Sequence, residues 1–546
     1  MNFAPAGWGL LLVATAWSLQ SVRNQDASRI VGWKWWALIA IALFCFRWPL
    51  LWVPHQQNPD ESQLIAGAIT LWRDPVFWRS VDGGTAGPLD YFPLLPVVWG
   101  DGPASYAIAR AIALAVVFET FVFAGAALAI VGGAAVARLA VLPAVAFYAF
   151  TTHPDFNHYS TELMPALLLA AAGYAAVRHG QTPSRIALWS CALLIGSVPW
   201  AKLQAVPLAG AVWSMVALRE IFARRARSLA PLIGGALIPA VMCFGAAALA
   251  GQTEHLIVPF FQHNLAYIHA PQFTWFQVAA LQWGNARLDG FLALWLAGSS
   301  LVVLLTFAGR MKRAPLALRQ TQLVALLLFA AGILSALGPR RPSAHHLHLI
   351  VLPLIWLTGA ALAVALVHFT TRRKQWIAAV VFLTCCLAPP LVLRALPYDP
   401  FRAFNTSGVS NERVQLAALV RALSKREEPL AMWGWRCSLY VEAGRPQATR
   451  QAHTEAQIYP GPLQAYFLRR YFEDFQASNA AVFADAVGPG NFAFEQASLA
   501  HEAFPPLREF VREHYTLVAT LDGTRVYARN DRLSLLKTLY PPQPSP

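Results

Sequence analysis

Two adjacent carboxylates, Asp60 and Glu61, follow directly after an apolar run at residues 34–53. Carboxylates at the surface of a bilayer are costly to desolvate, so their position there needs a reason. One reason is general-base catalysis, in which a carboxylate takes the proton of an attacking hydroxyl. The alternative is structural, with Asp60 capping a helix that begins at Ser62. The residues alone leave both interpretations open.

Three basic residues lie in loops whose other charged residues are mostly acidic. Lys202 is the only lysine between Lys34 and Lys312, and Arg340 and Arg341 are adjacent. An ammonium binds phosphate as a point charge, and a guanidinium binds it through two parallel hydrogen bonds. We therefore expect these residues to bind a phosphate group. For Lys202 the alternative is a side chain that snorkels to the membrane interface.

Three histidines, His345, His346 and His348, follow the arginine pair closely. Clustered histidines occur at zinc sites, but neighbours in sequence such as His345 and His346 point apart on a helix. We expect interfacial or phosphate-contacting histidines here. The six cysteines show neither a zinc spacing nor a disulfide framework.

The composition places these residues in a membrane protein. Of the 546 residues 57% are hydrophobic and only 13% are charged, whereas soluble proteins carry about a quarter charged residues. The net charge is +14, but residues 397–546 hold 16 basic and 15 acidic residues. The excess lies in short loops between apolar runs, as topology signals do, and does not indicate nucleic-acid binding.

Apolar runs long enough to cross a bilayer recur throughout residues 1–396. We predict eleven to twelve helices there. Residues 4–20 are the twelfth candidate, as a span, an interfacial helix or an uncleaved signal-like segment. The eleven predicted spans lie near residues 34–53, 104–131, 135–151, 163–178, 186–201, 203–219, 229–250, 288–308, 319–337, 347–368 and 376–396.

Charge distribution predicts the orientation of these spans. Basic residues gather in alternate loops, which the positive-inside rule assigns to the cytoplasm, and most acids gather in the other loops. Loop 54–103 and the loop near 251–287 are then outside the cytoplasm. Residues 62–72 read as an amphipathic juxtamembrane helix. Long loops with structure of their own usually carry function.

Residues 397–546 are predicted to form a second, exported α/β domain after a linker at 397–400. Short apolar stretches at 430–435 and 480–487 are strand candidates, and 411–426 and 463–477 read as helices. Residues 515–529 form a hairpin pattern with Asp522-Gly523 at its turn.

The order of these features resembles the GT-C membrane glycosyltransferases. A span, an outer Asp-Glu pair and an amphipathic juxtamembrane helix precede Gly87-Pro88-Leu89-Asp90-Tyr91-Phe92, which is similar to that family's Pro-Pro-Leu-Tyr-Tyr segment. Asp90 interrupts the pattern, and the lysine that often precedes the prolines is absent. Within the family, the chain is most similar to the branch of dolichyl-phosphate-mannose protein mannosyltransferases and bacterial aminoarabinose transferases. The resemblance covers about residues 34–370.

Three later segments extend the resemblance. Glu162, before Met164-Pro165, matches an acidic residue of the family. Asp155 is the other candidate for the same match. The structural alternative is that Glu162 belongs to a capping box or is an acid in the first turn of a helix. Lys202 matches the position of a Thr-Lys-Gly segment. Residues 338–348 resemble an Arg-x-x-x-x-His-Tyr stretch that opens a late span.

The resemblance implies a mainly α, polytopic GT-C-like fold and an inverting transfer of a monosaccharide from a polyprenyl-phosphate donor. The acceptor would be a glycolipid, a polysaccharide or a protein, and the site would face the periplasm of a bacterial inner membrane. No cofactor is required, although a divalent cation held by Asp60 and Glu162 is an alternative. The implied roles are Asp60 as base, Glu61 and Glu162 as positioning acids, Lys202, Arg340, Arg341 and His345 at the donor phosphate, and Asp90, Tyr91, Asp155 and His263 in the acceptor or sugar pocket.

A lipid-linked sugar transporter or flippase, or a polysaccharide-assembly protein without transferase activity, is the competing class. A transporter is expected to show inverted repeats and interrupted helices, and the sequence shows neither. Glu119 lies inside the span at 104–131. Intramembrane acids are functional candidates, but Glu119 could equally pair with another helix, so its role stays open.

Overall fold

The computed structural model describes residues 3–26, 28–99, 104–288, 290–307, 315–369, 371–395 and 409–535; the predicted linker at 397–400 lies outside these ranges. Each of the eleven predicted spans is a helix, and residues 4–20 belong to the helix Ala4–Arg23. The eleven helices are Trp33–Leu51, Tyr106–Gly132, Ala134–Phe150, Leu163–Gln181, Arg185–Ala201, Val206–Phe222, Leu229–Leu249, Phe291–Phe307, Leu316–Leu337, His348–His368 and Arg372–Ala395.

Six helical segments among the described residues are long and apolar enough to cross a membrane. The number rises to seven if Trp275–Arg287 and Phe291–Phe307, which meet at an angle of 108°, count as one broken span. Ala134–Phe150 and Arg185–Ala201 are apolar but shorter. The total of eleven to twelve spans stays a prediction. The six segments are Trp33–Leu51, Tyr106–Gly132, Leu203–Phe222, Ala226–Leu249, Leu316–Leu337 and Ala344–His368.

The chain forms two compact units. The helical unit comprises Met1–Trp52, Arg110–Cys243 and Tyr267–Phe404, and the sheet unit comprises Val53–Ala109, Phe244–Ala266 and Asn405–Pro546. Two segments from the predicted outer loops therefore fold in the same compact unit as the C-terminal tail, which begins at Asn405. The domain boundary between residues 396 and 397 stays a prediction.

Two helices form the centre of the helical unit. Ala134–Phe150 is buried along its whole length, and His348–His368 is buried from His348 to Val364. Both are apolar on all sides, which is the pattern of a helix surrounded by other helices. The loops at the ends of this core carry most of the unit's candidate site residues.

A four-stranded sheet organises the sheet unit, as the tail sequence predicts. Its strands are β1 (Leu430–Gly434), β2 (Val482–Ala486), β3 (Tyr515–Leu521) and β4 (Thr524–Arg529), in the order β1-β2-β4-β3. β1 and β2 are parallel, and β4 is antiparallel to both β2 and β3. Asp522 and Gly523 adopt φ values of 49° and 74°, as the tight turn between β3 and β4 requires.

Helices and outer segments pack around this sheet. A buried ion pair of 2.5 Å joins Asp82, from the first outer segment, to Arg470 in the helix Gln464–Ser478. The ring of Tyr91 lies against Gly67, where an added Cβ would be 2.3 Å from the ring. The remaining α-helices of four or more residues in the described parts of these regions are Pro59–Leu71, Pro88–Tyr91, Thr253–Leu256, His263–His269, Asn411–Leu423, Ser438–Ala443, Glu455–Ile458 and Pro505–His514.

Candidate active site

The helix that carries the acidic pair begins earlier than the sequence alternative assumed. It runs from Pro59 to Leu71, and its N-cap is Asn58, whose side chain accepts a hydrogen bond of 2.9 Å from the backbone N–H of Asp60. Proline at the first helical position already has the required φ angle. The interpretation of Asp60 as the cap of a helix starting at Ser62 is therefore wrong.

The two carboxylates of the pair have different surroundings. Glu61 is fully buried, and its Oε2 accepts a 2.8 Å hydrogen bond from the backbone N–H of Gln57, just before the N-cap. Asp60 is only partly buried and lies in the first turn of the helix. Of the two carboxylates, Asp60 is the more accessible.

The tail contributes a neighbour to Asp60 that the sequence did not indicate. Cys437, just after β1, is buried and donates weakly to the carbonyl of Ala452 at 3.5 Å. Burial, and then the nearby Asp60 carboxylate, raise the pKa of the Cys437 thiol. The acidic pair therefore lies beside the segment that follows a strand of the sheet.

The other sheet-unit candidates are less accessible. Asp90 and Tyr91 are buried, with 0% and 1% of their surface exposed. Burial, followed by the charges of Asp82 and Asp90, raises the pKa of Tyr91 well above its usual value. His263 is half-buried and packs edge-on against Phe467, with the ring centres 5.1 Å apart. Their assignment to an acceptor or sugar pocket stays a prediction.

In the helical unit, Glu162 and Lys202 form a buried ion pair. Glu162 is fully buried and Lys202 is 4% exposed. Glu162 also accepts hydrogen bonds from the hydroxyls of Ser160 and Thr161. It occupies the N-cap position of Leu163–Gln181 but makes no capping bond, so the capping-box alternative is wrong. Lys202 does not snorkel to an interface either, because its ammonium is buried in this pair.

Local backbone geometry places both partners. The helix Arg185–Ala201 ends at Lys202, which turns to an extended conformation before the short 3-10 helix Leu203–Ala205. Burial alone would raise the pKa of Glu162, but the ammonium of Lys202 and two neighbouring histidines hold it well below the usual value. The carboxylate of Glu162 is therefore ionised at neutral pH.

Histidines surround this pair. One ligand atom from each of Glu162, His345 and His346 lies within 4.8 Å of the others, a grouping that could hold a metal ion. His346 is 4% exposed, and its Nδ1 has no hydrogen-bond partner among the described residues. The sequence argument against a metal assumed that His345 and His346 point apart, but the structure brings both to the same carboxylate. The ammonium of Lys202 already supplies positive charge there.

Asp155 joins the same cluster. Its Oδ2 accepts a 3.1 Å hydrogen bond from the backbone N–H of His345 and lies 3.4 Å from Nδ1 of that residue. Its backbone carbonyl lies 3.2 Å from Nε2 of His348. Asp155 and Glu162 therefore do not compete for one position, because both contribute to the cluster.

Arg340 and Arg341 begin the loop that leads to this histidine cluster. Both are half-buried, and Nε of each is buried without a hydrogen-bond partner among the described residues. Arg341 lies over the ring of Tyr267 at 4.1 Å, and Arg340 over Trp275 at 5.8 Å. In the described part of the chain neither forms an ion pair with a carboxylate. Two guanidiniums held on aromatic rings can bind an anion with several oxygens.

The helix Trp275–Arg287 holds this loop in place. Gln282 donates a 2.7 Å hydrogen bond to the carbonyl of Ser343, and Asn285 donates one of 2.9 Å to that of Pro342. Arg340 has a φ of 53°, a conformation that costs free energy for a residue with a side chain and often occurs at functional sites.

Sequence reasoning missed the buried Arg47, which lies in the helix Trp33–Leu51. Its guanidinium donates to Asn157 and to the carbonyl of Thr151 at 3.3 Å. It thereby supports the loop that contains Asp155. An arginine near the end of an apolar run was the available signal, because such residues are rarely accommodated without internal partners.

The helical unit thus brings together Glu162, Lys202, Asp155 and His345, and the sheet unit holds Asp60 beside Glu61. The structure matches ArnT from Cupriavidus metallidurans in the apo state with a TM-score of 0.54 and 13% sequence identity, covering 93% of this chain and 99% of that one. An oligosaccharyltransferase from Archaeoglobus fulgidus, solved with Zn and sulfate, has a TM-score of 0.42 and 14% identity, and the match covers 95% of this chain and 73% of that one. No protein-family model and no curated protein sequence matches the chain. The likeness to ArnT, an aminoarabinose transferase, shows that the chain has the GT-C fold that the sequence resemblance predicts.

Proposed function

We propose that this protein is a membrane glycosyltransferase that moves a monosaccharide from a polyprenyl-phosphate donor to an acceptor outside the cytoplasm. The observation that carries the proposal is the pair Arg340 and Arg341, which have no carboxylate partner among the described residues and rest on aromatic rings. Half-buried guanidiniums without a carboxylate partner are suited to bind an anion. The phosphate of a lipid-linked sugar supplies it.

The reaction would be a single displacement. The acceptor hydroxyl attacks the anomeric carbon, a new C–O bond forms there, and the bond from that carbon to the phosphate oxygen breaks. The polyprenyl monophosphate leaves, and the acceptor proton passes to a carboxylate. Attack opposite the leaving group inverts the anomeric centre.

Asp60 is our choice of base. It is partly exposed in the first turn of its helix, whereas Glu61 is fully buried and bonded to the backbone of Gln57. We therefore propose that Glu61 acts through the helix that carries Asp60, and not by positioning sugar or acceptor hydroxyls directly as the resemblance implies. General-base catalysis contributes roughly 10²–10⁴ in rate.

The charge that develops on the leaving phosphate needs fixed positive groups. Arg340, Arg341 and His345 are our phosphate ligands, with Lys202 as a further ammonium. Lys202 is paired with Glu162 in the structure, so the donor phosphate would have to share it or draw it away. Preorganised charges of this kind stabilise a transition state more than they stabilise the bound substrate.

We propose that no metal ion is required, because the ammonium and guanidiniums supply the countercharge. The group of Glu162, His345 and His346 is the alternative cation site. A cation there would be repelled by Lys202, which lies against the same carboxylate. Asp90, Tyr91, Asp155 and His263 remain our proposed acceptor or sugar pocket.

The experiment that tests the proposal is transfer from a panel of radiolabelled polyprenyl-phosphate sugars in bacterial inner membranes that contain the protein. We expect label to move from one donor to a glycolipid, polysaccharide or protein fraction. The double variant Arg340→Gln/Arg341→Gln should raise the KM for the donor at least tenfold. The exposed Arg79→Gln, whose partner is Asp74, is the matched control and should leave the KM unchanged.

Two results would oppose the proposal. Donor that binds in an arginine-dependent manner without any turnover would favour a transporter. Transfer with an unchanged KM in the double variant would keep the enzyme but remove the two arginines from its donor site.

A further inference from the structure

A cavity opens on the surface of the helical unit between the helix Arg185–Ala201 and the first half of the helix Leu229–Leu249. Its volume is about 300 Å³, at the lower end of the range for ligand pockets. Most of its lining is apolar, and none of the lining residues belongs to the candidate clusters described above. The lining residues are Arg185, Ile186, Trp189, Ser190, Leu193 and Ile238.

Glycines bring the two helices into contact beside this cavity. A Cβ added at Gly196 would overlap the backbone carbonyl oxygen of Ala236, so the two backbones touch there. Nearer the start of both helices, the ring of Trp189 lies against Gly235, where an added Cβ would be 3.0 Å from the ring. The two helices therefore begin at the same end of the unit, and close packing fixes the shape of the cavity between them.

An arginine without a partner stands at the start of each of these helices. Arg185 is the first residue of its helix and lines the cavity, and Arg227 lies two residues before Leu229. Both side chains are exposed, and neither forms an ion pair or a hydrogen bond with any described residue. The mouth of an apolar cavity therefore carries two guanidiniums that are open to a ligand.

The acid nearest in sequence does not neutralise this charge. Glu220 is the only acidic residue between positions 163 and 253. Its carboxylate is fully buried, accepts a hydrogen bond of 2.6 Å from Arg225 and lies 3.2 Å from Nε2 of His179. The exposed arginines at the cavity thus complement an anionic ligand.

We propose that this cavity, which we call the Arg185 groove (its six lining residues), binds an anionic phospholipid. The guanidiniums of Arg185 and Arg227 bind the phosphate through charge-assisted hydrogen bonds. One acyl chain lies against the apolar lining. A zwitterionic headgroup carries its own cation and is held less tightly.

The predicted orientation agrees with this ligand. The positive-inside rule assigns the arginine-rich loops before both helices to the cytoplasm. Anionic lipids are concentrated in the cytoplasmic leaflet, and basic pockets between membrane helices bind their headgroups. The proposal does not depend on the transferase proposal, because no residue of either candidate cluster takes part in it.

Native mass spectrometry of the full-length protein in detergent tests the proposal, with phosphatidylglycerol and phosphatidylethanolamine as probes. We expect the wild type to bind phosphatidylglycerol more tightly. Arg185→Gln/Arg227→Gln should weaken that binding roughly 30-fold, the combined effect of two arginines near a membrane surface. Arg372→Gln/Arg373→Gln, which removes two exposed arginines at the start of another apolar helix, is the matched control and should leave it unchanged.

A second pair of variants tests the groove itself. Ile238→Trp places a ring in the groove and should abolish the preference for phosphatidylglycerol, because the acyl chain loses its place. Leu237→Trp, at the neighbouring exposed position outside the groove, should retain that preference.

Three results would overturn the proposal. The first is equal affinity of the wild type for the two lipids. The second is an affinity for phosphatidylglycerol that Arg185→Gln/Arg227→Gln leaves unchanged. The third is arginine-dependent binding that survives Ile238→Trp, which would assign the headgroup to the surface loops and remove the groove as its site.

Discussion

Glu162 and Lys202, forty residues apart in sequence, form an ion pair from which solvent is almost excluded. Such a pair is costly to desolvate, and its contribution to the free energy of unfolding depends on both members being present. The hydroxyls of Ser160 and Thr161 satisfy further lone pairs of the carboxylate. This cluster organises the loops at one end of the helical unit's core.

Removing one member of the pair should destabilise the protein strongly. Lys202→Met leaves a buried carboxylate without its counter-ion and should cost about 3–5 kcal/mol of unfolding free energy. The double variant Lys202→Met/Glu162→Gln should recover much of this loss. Thermal unfolding in detergent measures both. Asp74→Asn, which breaks the exposed pair with Arg79, is the control and should change stability by about 0–1 kcal/mol. Equal effects of the single and double variants would contradict the pairing.

The same pair predicts a pH dependence. The pKa of Glu162 is lower in the folded protein than in the unfolded chain, where a glutamate titrates near about 4.3. A depressed carboxyl pKa stabilises the fold above the unfolded value and loses this contribution as pH falls through the folded value. The stability difference between wild type and Glu162→Gln should therefore stay constant from about pH 7 to 5 and shrink only below about pH 4.3. A difference that already declines near pH 6 would show that Glu162 is not held ionised.

A substitution at Gly67 should disturb the helix that carries Asp60. A Cβ at this position would lie 2.3 Å from the ring of Tyr91, so Gly67→Ala forces the ring or the helix to move. Overpacking of this kind costs about 1–3 kcal/mol. Gly210→Ala is the matched control, since nothing lies within 4 Å of its added Cβ, and it should be neutral or mildly stabilising. Indistinguishable melting of the two variants would contradict the close packing of Tyr91.

Chelation should not abolish activity. Lys202 lies at the carboxylate that any ion held by Glu162, His345 and His346 would need, so we expect transfer to persist in EDTA. The contrary result would be transfer that is lost in EDTA and restored by zinc or manganese in the wild type, but not restored by these ions in His346→Ala. That result would contradict this expectation and place a cation at the cluster.

Much of the architecture could be predicted from local patterns. Uniformly apolar runs indicated the eleven helices, and the turn dipeptide Asp522-Gly523 indicated the hairpin, because both signals lie within a few residues. The N-cap at Asn58 could also be predicted from the sequence, since Asn-Pro before two acids is a common helix start. The alternative with Asp60 as the cap did not take account of the proline that follows Asn58.

Long-range packing explains what sequence could not provide. Glu162 meets Lys202, and Asp155 meets His345, only because separate helices end at the same place. Asp82 meets Arg470 across 388 residues of chain. The burial of Tyr91 and Asp90, two predicted pocket residues, depends on the same tertiary packing. Periodicity and spacing contain no information on such pairs.

The most direct test of the central claim compares Asp60→Asn with Glu61→Gln in the transfer assay. If Asp60 is the base, Asp60→Asn should lower transfer by roughly 10²–10⁴ while donor binding and the melting temperature stay at wild-type values. Glu61→Gln should lower the melting temperature, because it weakens the bond to Gln57, and should reduce transfer less. Wild-type transfer by a stably expressed Asp60→Asn would contradict the account and assign the base to another carboxylate.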